Sequence, residues 1–223
     1  MTQPAKYDWM FFQSVILLTG AVVDFWFAKL FFCPLFGLLV FIGLLLTNRK
    51  NYTIHHKWGG LPNTITLFRL LLLFAVPFIE SAFSLGILCL IVVSLDGLDG
   101  FAARKLNQAT EFGAVLDMET DAFFCLLFSL TIAIQNPDLY WIIIGGLLRY
   151  LYKIITTLIS KNGYTESKKN YARYIAGGYF LSFILYFFIP DTIGKTCITI
   201  GTLMIVFSFA VSFYEFLTHK QND

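Results

Sequence analysis

At 223 residues, with 57% apolar and only 13% charged side chains, the chain carries far more apolar surface than one or two soluble domains could bury. Its net charge of +2 is too small for a nucleic-acid surface, and its 16 basic residues gather in no single run. Cys33, Cys89, Cys125 and Cys197 stand apart within apolar segments and form no CxxC pair, so neither a disulfide nor zinc is expected, and the composition is that of an integral membrane protein.

Met1 to Trp9 is short and polar. Met10 to about Ala28 and Leu30 to about Thr47 are apolar runs long enough to span, with Asp24 and Lys29 near their turn. The first has a weak basic start and no small-x-small cleavage site, so it reads as a helix rather than a signal peptide. Phe32 before Cys33 argues against a lipoprotein site. Asn48 to Gly60, NRKNYTIHHKWGG, reads as an interfacial segment with Tyr52 and Trp58 at headgroup depth. His55 and His56 are adjacent, point apart on a helix and make a poor metal pair.

A third span opens at Leu61 and runs to about Phe78, with Pro62 suited to a helix start. Asn63, Thr66 and Arg69 recur every three residues on it and share a face. Polar residues on one stripe of a membrane helix look into a cavity or at neighbouring helices. Pro77 to Ala82 is a turn, and Phe83 to Leu95 is a fourth span. Gly113 to about Ile134, Leu139 to about Ser160, Ala172 to about Ile189 and Thr196 to about Leu217 complete eight, with Gln135-Asn136-Pro137-Asp138 a clear turn. Arg149 and Lys153 lie one helical turn apart well inside an apolar run, where charge is costly and normally serves a polar cavity. The expectation is an all-α polytopic transmembrane bundle. Alternating the spans puts Lys6, the Arg49–Lys57 loop, Arg104, Lys105, Lys161, Lys168, Lys169 and Lys220 on one side, and only Lys29 and Lys195 on the other. The positive-inside rule then makes both termini cytoplasmic.

The most informative stretch runs from Asp96 to Asp121. Asp96 and Asp99 are three apart, Asp117 and Asp121 four apart, so on helices each pair shares a face with Cβ atoms about 5–6 Å apart. Two such pairs facing each other would repel and raise one another's pKa. One or two divalent cations are the simplest remedy, and carboxylate oxygens are the ligands that Mg²⁺ and Mn²⁺ prefer, usually shared with substrate phosphates. Asp96 and Asp99 end one span and Asp117 and Asp121 begin the next, which puts all four at the cytoplasmic face.

Written in full, Asp96-x-x-Asp99-Gly100-x-x-Ala103-Arg104, eight residues, Gly113, three residues, Asp117, three residues, Asp121 resembles the signature of the CDP-alcohol phosphotransferase family without a departure. The resemblance covers roughly Leu61 to Leu217. It implies a six-helix core at 61–223, with 1–60 adding two N-terminal transmembrane helices and the basic interfacial segment. It implies Asp96, Asp99 and Asp117 as ligands of Mg²⁺ or Mn²⁺, two ions in all, with Asp121 contributing to the metals and acting as the base. The residues alone say only that one of the four is best left partly free. Gly100, Ala103, Arg104 and Gly113 match the family's nucleotide contacts, and Asn63, Thr66 and Arg69 lie in a similar Pro-Asn-x-x-Thr-x-x-Arg stretch beside the nucleotide.

The implied reaction is phosphatidyl transfer from CDP-diacylglycerol to a small polar alcohol, with release of CMP, in a homodimer of a bacterial inner membrane. Arg149 and Lys153, with Lys168, Lys169 or Arg173, could grip a phosphate on the acceptor. That favours glycerol 3-phosphate; counter-charge for the aspartates is the other reading of Arg149 and Lys153. Ala122 stands where the glycerophosphate branch typically places Lys, and Met118, Glu119 and Thr120 match no branch, so serine, inositol or its phosphate, and choline stay open. A cation transporter is a rival reading, but no repeat relates the two halves. A prenyltransferase would carry its aspartate motifs in separate halves. Against a noncatalytic relative stands the intact motif.

Overall fold

The computed structural model describes residues 3–47, 60–106, 108–159 and 170–220. The His55-His56 pair, nearly all of the basic interfacial segment, Lys168 and Lys169 lie outside the described residues. Among those described there are eight α-helices and no strand: α1 (Gln3–Phe27), α2 (Phe32–Thr47), α3 (Gly60–Leu73), α4 (Ala82–Lys105), α5 (Glu111–Gln135), α6 (Ile143–Ile159), α7 (Asn170–Phe188) and α8 (Asp191–Lys220). Short 3-10 turns, Val76–Phe78 and Pro137–Ile142, follow α3 and precede α6. Each expected span contains one α-helix, the third and sixth each being made up by a 3-10 turn, and the molecule is an all-α polytopic bundle. Five segments are long and apolar enough to cross a membrane, Trp9–Phe27, Gly60–Phe78, Ala82–Lys105, Pro137–Ile159 and Asp191–Thr218, and Phe32–Thr47 is a shorter apolar helix.

One boundary differs from the sequence reading. The apolar run ends at Leu95, but α4 continues unbroken through both Asp-Gly pairs to Lys105. Arg104 and Lys105 in its last turn complement the helix dipole, and Ser81 caps its start, accepting from the Ser84 amide at 3.4 Å.

α5 is the central helix. From Glu119 to Ala133 nearly every side chain is buried, whichever way it points. α3 wedges between α4 and α5, α6 crosses α5 on another side, and α7 and α8 close the bundle against α4 and α6. The α5–α6 crossing is backbone-close: a Cβ on Gly146 would stand 2.8 Å from the Leu126 Cα and 2.9 Å from the Cys125 carbonyl oxygen. Only a small residue permits such a crossing.

The N-terminal hairpin docks on this core rather than standing off it. α1 packs against α2, α6 and α5, and α2 reaches α5. Met10, Gln13, Ser14, Leu17, Ala21 and Asp24 form its buried stripe at helical spacing, while Phe12, Val15, Ile16 and Val22 face outward. Asp24, fully buried, links the two helices: its carboxylate accepts from the Phe32 amide at 2.7 Å and the Cys33 amide at 2.8 Å, capping α2. α1 itself ends in a left-handed residue, Ala28 at φ 49°, with the Lys29 amide reaching back to the Asp24 carbonyl at 3.0 Å.

Glycine fits that left-handed position without the penalty alanine carries. Ala28→Gly should raise stability by about 1 kcal/mol, and Asp24→Ala should lower it by about 1–3 kcal/mol. Thermal unfolding of purified protein in detergent checks both. Unchanged melting for Asp24→Ala would remove the carboxylate as the link between α1 and α2.

Candidate active site

The stripe read on α3 is fully buried: Asn63, Thr66 and Arg69 are 4%, 3% and 1% exposed. It faces the aspartates because α3 lies between the helices that carry them. Arg69 is the centre of the arrangement. Its Nη1 lies 2.8 Å from Asp96 Oδ1, 2.9 Å from Asp99 Oδ2 and 2.9 Å from Asp117 Oδ1, and its Nη2 lies 2.5 Å from Asp121 Oδ1. The Thr66 hydroxyl adds a donor to Asp99 at 2.9 Å. All four aspartates, in two pairs on two helices, thus converge on one guanidinium.

The charges do not balance. One guanidinium against four ionised carboxylates leaves a formal charge of −3 in a site where Asp99 is 5% exposed and the other three carboxylates 29–40%. Oxygens of Asp96, Asp99 and Asp117 lie within 4.8 Å of one another. The donor set, all hard carboxylate oxygen, and the negative excess both fit a divalent cation of the Mg²⁺ or Mn²⁺ kind.

Beside this cluster is a cavity of about 210 Å³ where three pieces of chain meet. The start of α3 lends Pro62, Asn63 and Thr66, and the end of α4 lends Asp99, Gly100, Ala103 and Arg104. The connection and the start of α5 lend Gln108, Thr110, Gly113 and Asp117. Asp99 and Asp117 belong to both cluster and cavity. Six of the expected nucleotide contacts line it: Asn63, Thr66, Gly100, Ala103, Arg104 and Gly113. Arg69 is not among the lining residues; it stands with the aspartates.

Gly113 is needed for packing, since a Cβ there would run into the Asn63 side-chain oxygen. Among the described residues nothing lies within 4 Å of a Cβ built on Gly97, so close protein packing does not explain that glycine; at Gly100 only the Arg104 Nη1 comes near, at 3.7 Å. Asn63 Nδ2 is buried and makes no hydrogen bond among the described residues, an orphan donor at the cavity wall.

Gln108 and Thr110 escaped the sequence reading. Their stretch reads only as a polar connection, yet Gln108 Oε1 accepts from the Leu61 amide at 3.2 Å and ties the connection to α3. Thr110 caps α5, accepting from the Gly113 amide at 3.0 Å. A threonine three residues before that glycine, at the foot of an apolar run, was the available signal.

The expected acceptor residues lie elsewhere. Arg149 on α6 donates from Nη2 to Glu119 Oε1 at 3.0 Å, an acid of α5 outside the set of four aspartates. Glu119 accepts a second bond at Oε2, from Gln13 Nε2 of α1 at 2.8 Å. Lys153 is half-buried one turn beyond Arg149, Arg173 on α7 is exposed, and Lys168 falls outside the described residues.

Residues 59–214 match the model of the CDP-alcohol phosphatidyltransferase family. A CDP-diacylglycerol--glycerol-3-phosphate 3-phosphatidyltransferase of Wigglesworthia glossinidia brevipalpis is 36% identical over 102 residues, 43% of this chain and 56% of its own. The Escherichia coli K12 protein of the same name is 27% identical over 106 residues, 45% of this chain and 58% of its own. The chain spans about half the length of these curated relatives. A CDP-diacylglycerol--inositol 3-phosphatidyltransferase of Schizosaccharomyces pombe is 69% identical over 35 residues, 15% of each chain. No solved structure matches significantly.

Removing the central cation should expose the cost of the four carboxylates. Arg69→Met is expected to lower stability in metal-free buffer by about 3–5 kcal/mol, the usual result of breaking a buried pair from one side. Asp99→Asn added to it should recover part of that loss, because the two sites are in contact. Denaturation of the single and double variants measures both; simple additivity would show that Arg69 does not hold the cluster.

Proposed function

The chain belongs to the CDP-alcohol phosphatidyltransferase family, and from that premise we propose that it transfers a phosphatidyl group from CDP-diacylglycerol to the hydroxyl of a small polar alcohol, with glycerol 3-phosphate the leading acceptor. The observation that carries the reading is the sharing of Asp99 and Asp117 between an anionic cluster and a cavity. A ligand seated there presents its phosphates to the carboxylates and its remaining parts to the cavity.

Asp96, Asp99, Asp117 and Asp121 would hold Mg²⁺ or Mn²⁺, one ion or two, and the bound metal supplies charge neutralisation and polarisation of the pyrophosphate. The chain's own residues do the rest. Asn63 Nδ2 and the Arg104 guanidinium at the cavity rim donate to the nucleotide or its phosphates. Gly100 leaves room for a ligand to approach the α4 backbone. Asp121, on the second acid-bearing helix, takes the proton from the acceptor hydroxyl. The new acceptor oxygen–phosphorus bond forms as the phosphorus–oxygen bond to CMP breaks, and CMP carries away the electron pair. Lys153 and Arg173, with Lys168 and Arg149, would bind a phosphate on the acceptor.

Residues 61–223 form the six-helix core in this reading and 1–60 an addition, a division supported by the family match beginning at residue 59. The enzyme is a homodimer of a bacterial inner membrane, with both termini and the site cytoplasmic. The family resemblance and the distribution of Lys and Arg support that placement.

The acceptor has a second reading. The short, highly identical match to the Schizosaccharomyces pombe inositol protein favours inositol, whereas the longer matches favour glycerol 3-phosphate. CMP release by purified protein from CDP-diacylglycerol, with Mg²⁺ or Mn²⁺, decides between them. Glycerol 3-phosphate is expected to drive release, and inositol, inositol phosphate, serine and choline serve as the comparison panel. Asp121→Asn should lower the rate by about 10²–10⁴-fold, the range of a lost general base. Chelation of the metal should abolish release. Release that persists in excess chelator would sink the metal-dependent mechanism.

A further inference from the structure

We infer that Gln13 is a positioning residue for this reaction: through Glu119 it holds α5 in the rotation that presents Asp117 and Asp121, which makes the N-terminal hairpin a working part of the site. The inference rests on the proposed reading of the aspartates as metal ligands.

Glu119 lies midway between Asp117 and Asp121 in the chain. At 3.6 residues per turn it stands about 160° around α5 from each of them, on the side away from Arg69. It is 4% exposed, and a buried carboxylate is tolerated only when its oxygens are paired. Each oxygen has its own donor from a different helix: Oε1 takes Arg149 Nη2 of α6 at 3.0 Å, and Oε2 takes Gln13 Nε2 of α1 at 2.8 Å. Gln13 is itself 2% exposed, so no water competes for its amide.

α5 is therefore gripped from opposite sides. Arg69 holds Asp117 and Asp121 on one face, and Gln13 with Arg149 holds Glu119 on the other. Turning α5 about its axis to relax one grip strains the other. The second helix of the hairpin braces the next turn: Phe123 lies against Gly37, and its ring centre is 5.5 Å from that of Phe41. If Gln13 merely glued the hairpin to the core, its loss would cost stability alone. If it positions α5, its loss also weakens the metal site on the far side of the helix, which Gln13 never touches.

The test is Mn²⁺ binding by the full-length protein in detergent, read by electron paramagnetic resonance of the free ion, alongside thermal unfolding in metal-free buffer. Gln13→Met and Glu119→Gln should each weaken Mn²⁺ binding by about tenfold, the usual size of an outer-shell effect. The double variant should be no worse than the weaker single, because both act through one contact. The exchanged pair, Gln13→Glu with Glu119→Gln, restores an amide–carboxylate bond and should recover most of the affinity. Thr19→Val, on the exposed face of α1, should change nothing. In turnover, Gln13→Met, which leaves the Arg149–Glu119 pair in place, should raise the metal activation constant while the KM for the acceptor stays put.

Variants that melt earlier but bind Mn²⁺ as the unmodified protein does would overturn the inference and leave the proposed function standing. So would additive effects, or an exchanged pair without recovery. Absence of Mn²⁺ binding by the unmodified protein would overturn the metal reading and the inference together. The exchanged pair and Thr19→Val keep the comparison informative should one single variant fail to fold.

Discussion

A buried guanidinium facing four carboxylates is the constraint on which the rest of this structure depends. Charge of this density inside a membrane protein has to be paired, and Arg69 is the cation that the fold itself supplies. Its fork geometry lets two nitrogens serve four acids, which a lysine ammonium on a flexible stem would do less well. Pairing stays incomplete, and the negative excess that remains is what the proposed divalent ion would neutralise. The same interaction that lets α3, α4 and α5 pack together leaves the site with a net negative charge.

The helix order around that centre follows from it. α3 has to lie between α4 and α5, because only there can one side chain reach acids on both. Its polar stripe then has two uses: Arg69 and Thr66 bind the aspartates, while Asn63, a turn and a half nearer the helix start, lines the cavity with its amide nitrogen buried and unpaired. The cavity forms where the three helices' ends diverge, and Gln108 and Thr110 fasten the connection that closes it. α5 pays for its acids by burial of nearly every other side chain along its inner length.

A second polar network behind α5 involves Gln13, Glu119 and Arg149, and it ties the hairpin to the helix that bears half the cluster. Outward faces of α1, by contrast, are plainly apolar, with Phe12 and Val22 each 62% exposed. In a bilayer that surface contacts lipid and provides no drive for helices to associate, so specificity of docking falls to close-packed small residues and internal hydrogen bonds. Gly20 against Cys33, Asp24 at the start of α2 and Gln13 at Glu119 supply both kinds.

Much of this was legible in the chain. Runs of apolar residues marked the eight helices among the described residues, since in lipid a backbone has little choice but to satisfy itself within a helix. Four aspartates and their glycines at fixed spacings marked the site, because i,i+3 and i,i+4 place side chains on one face whatever surrounds the helix. The spacing of Asn63, Thr66 and Arg69 showed a shared face for the same reason. What spacing within one helix cannot say is which helix lies opposite. Tertiary packing alone decided that Arg69 pairs with all four aspartates and stands apart from the cavity lining, and that Arg149 meets Glu119. It alone brought Gln13 to the back of α5, 106 residues away in the chain. Periodicity is a local property of the backbone, whereas the partner of a buried charge is chosen by the crossing of helices far apart in sequence.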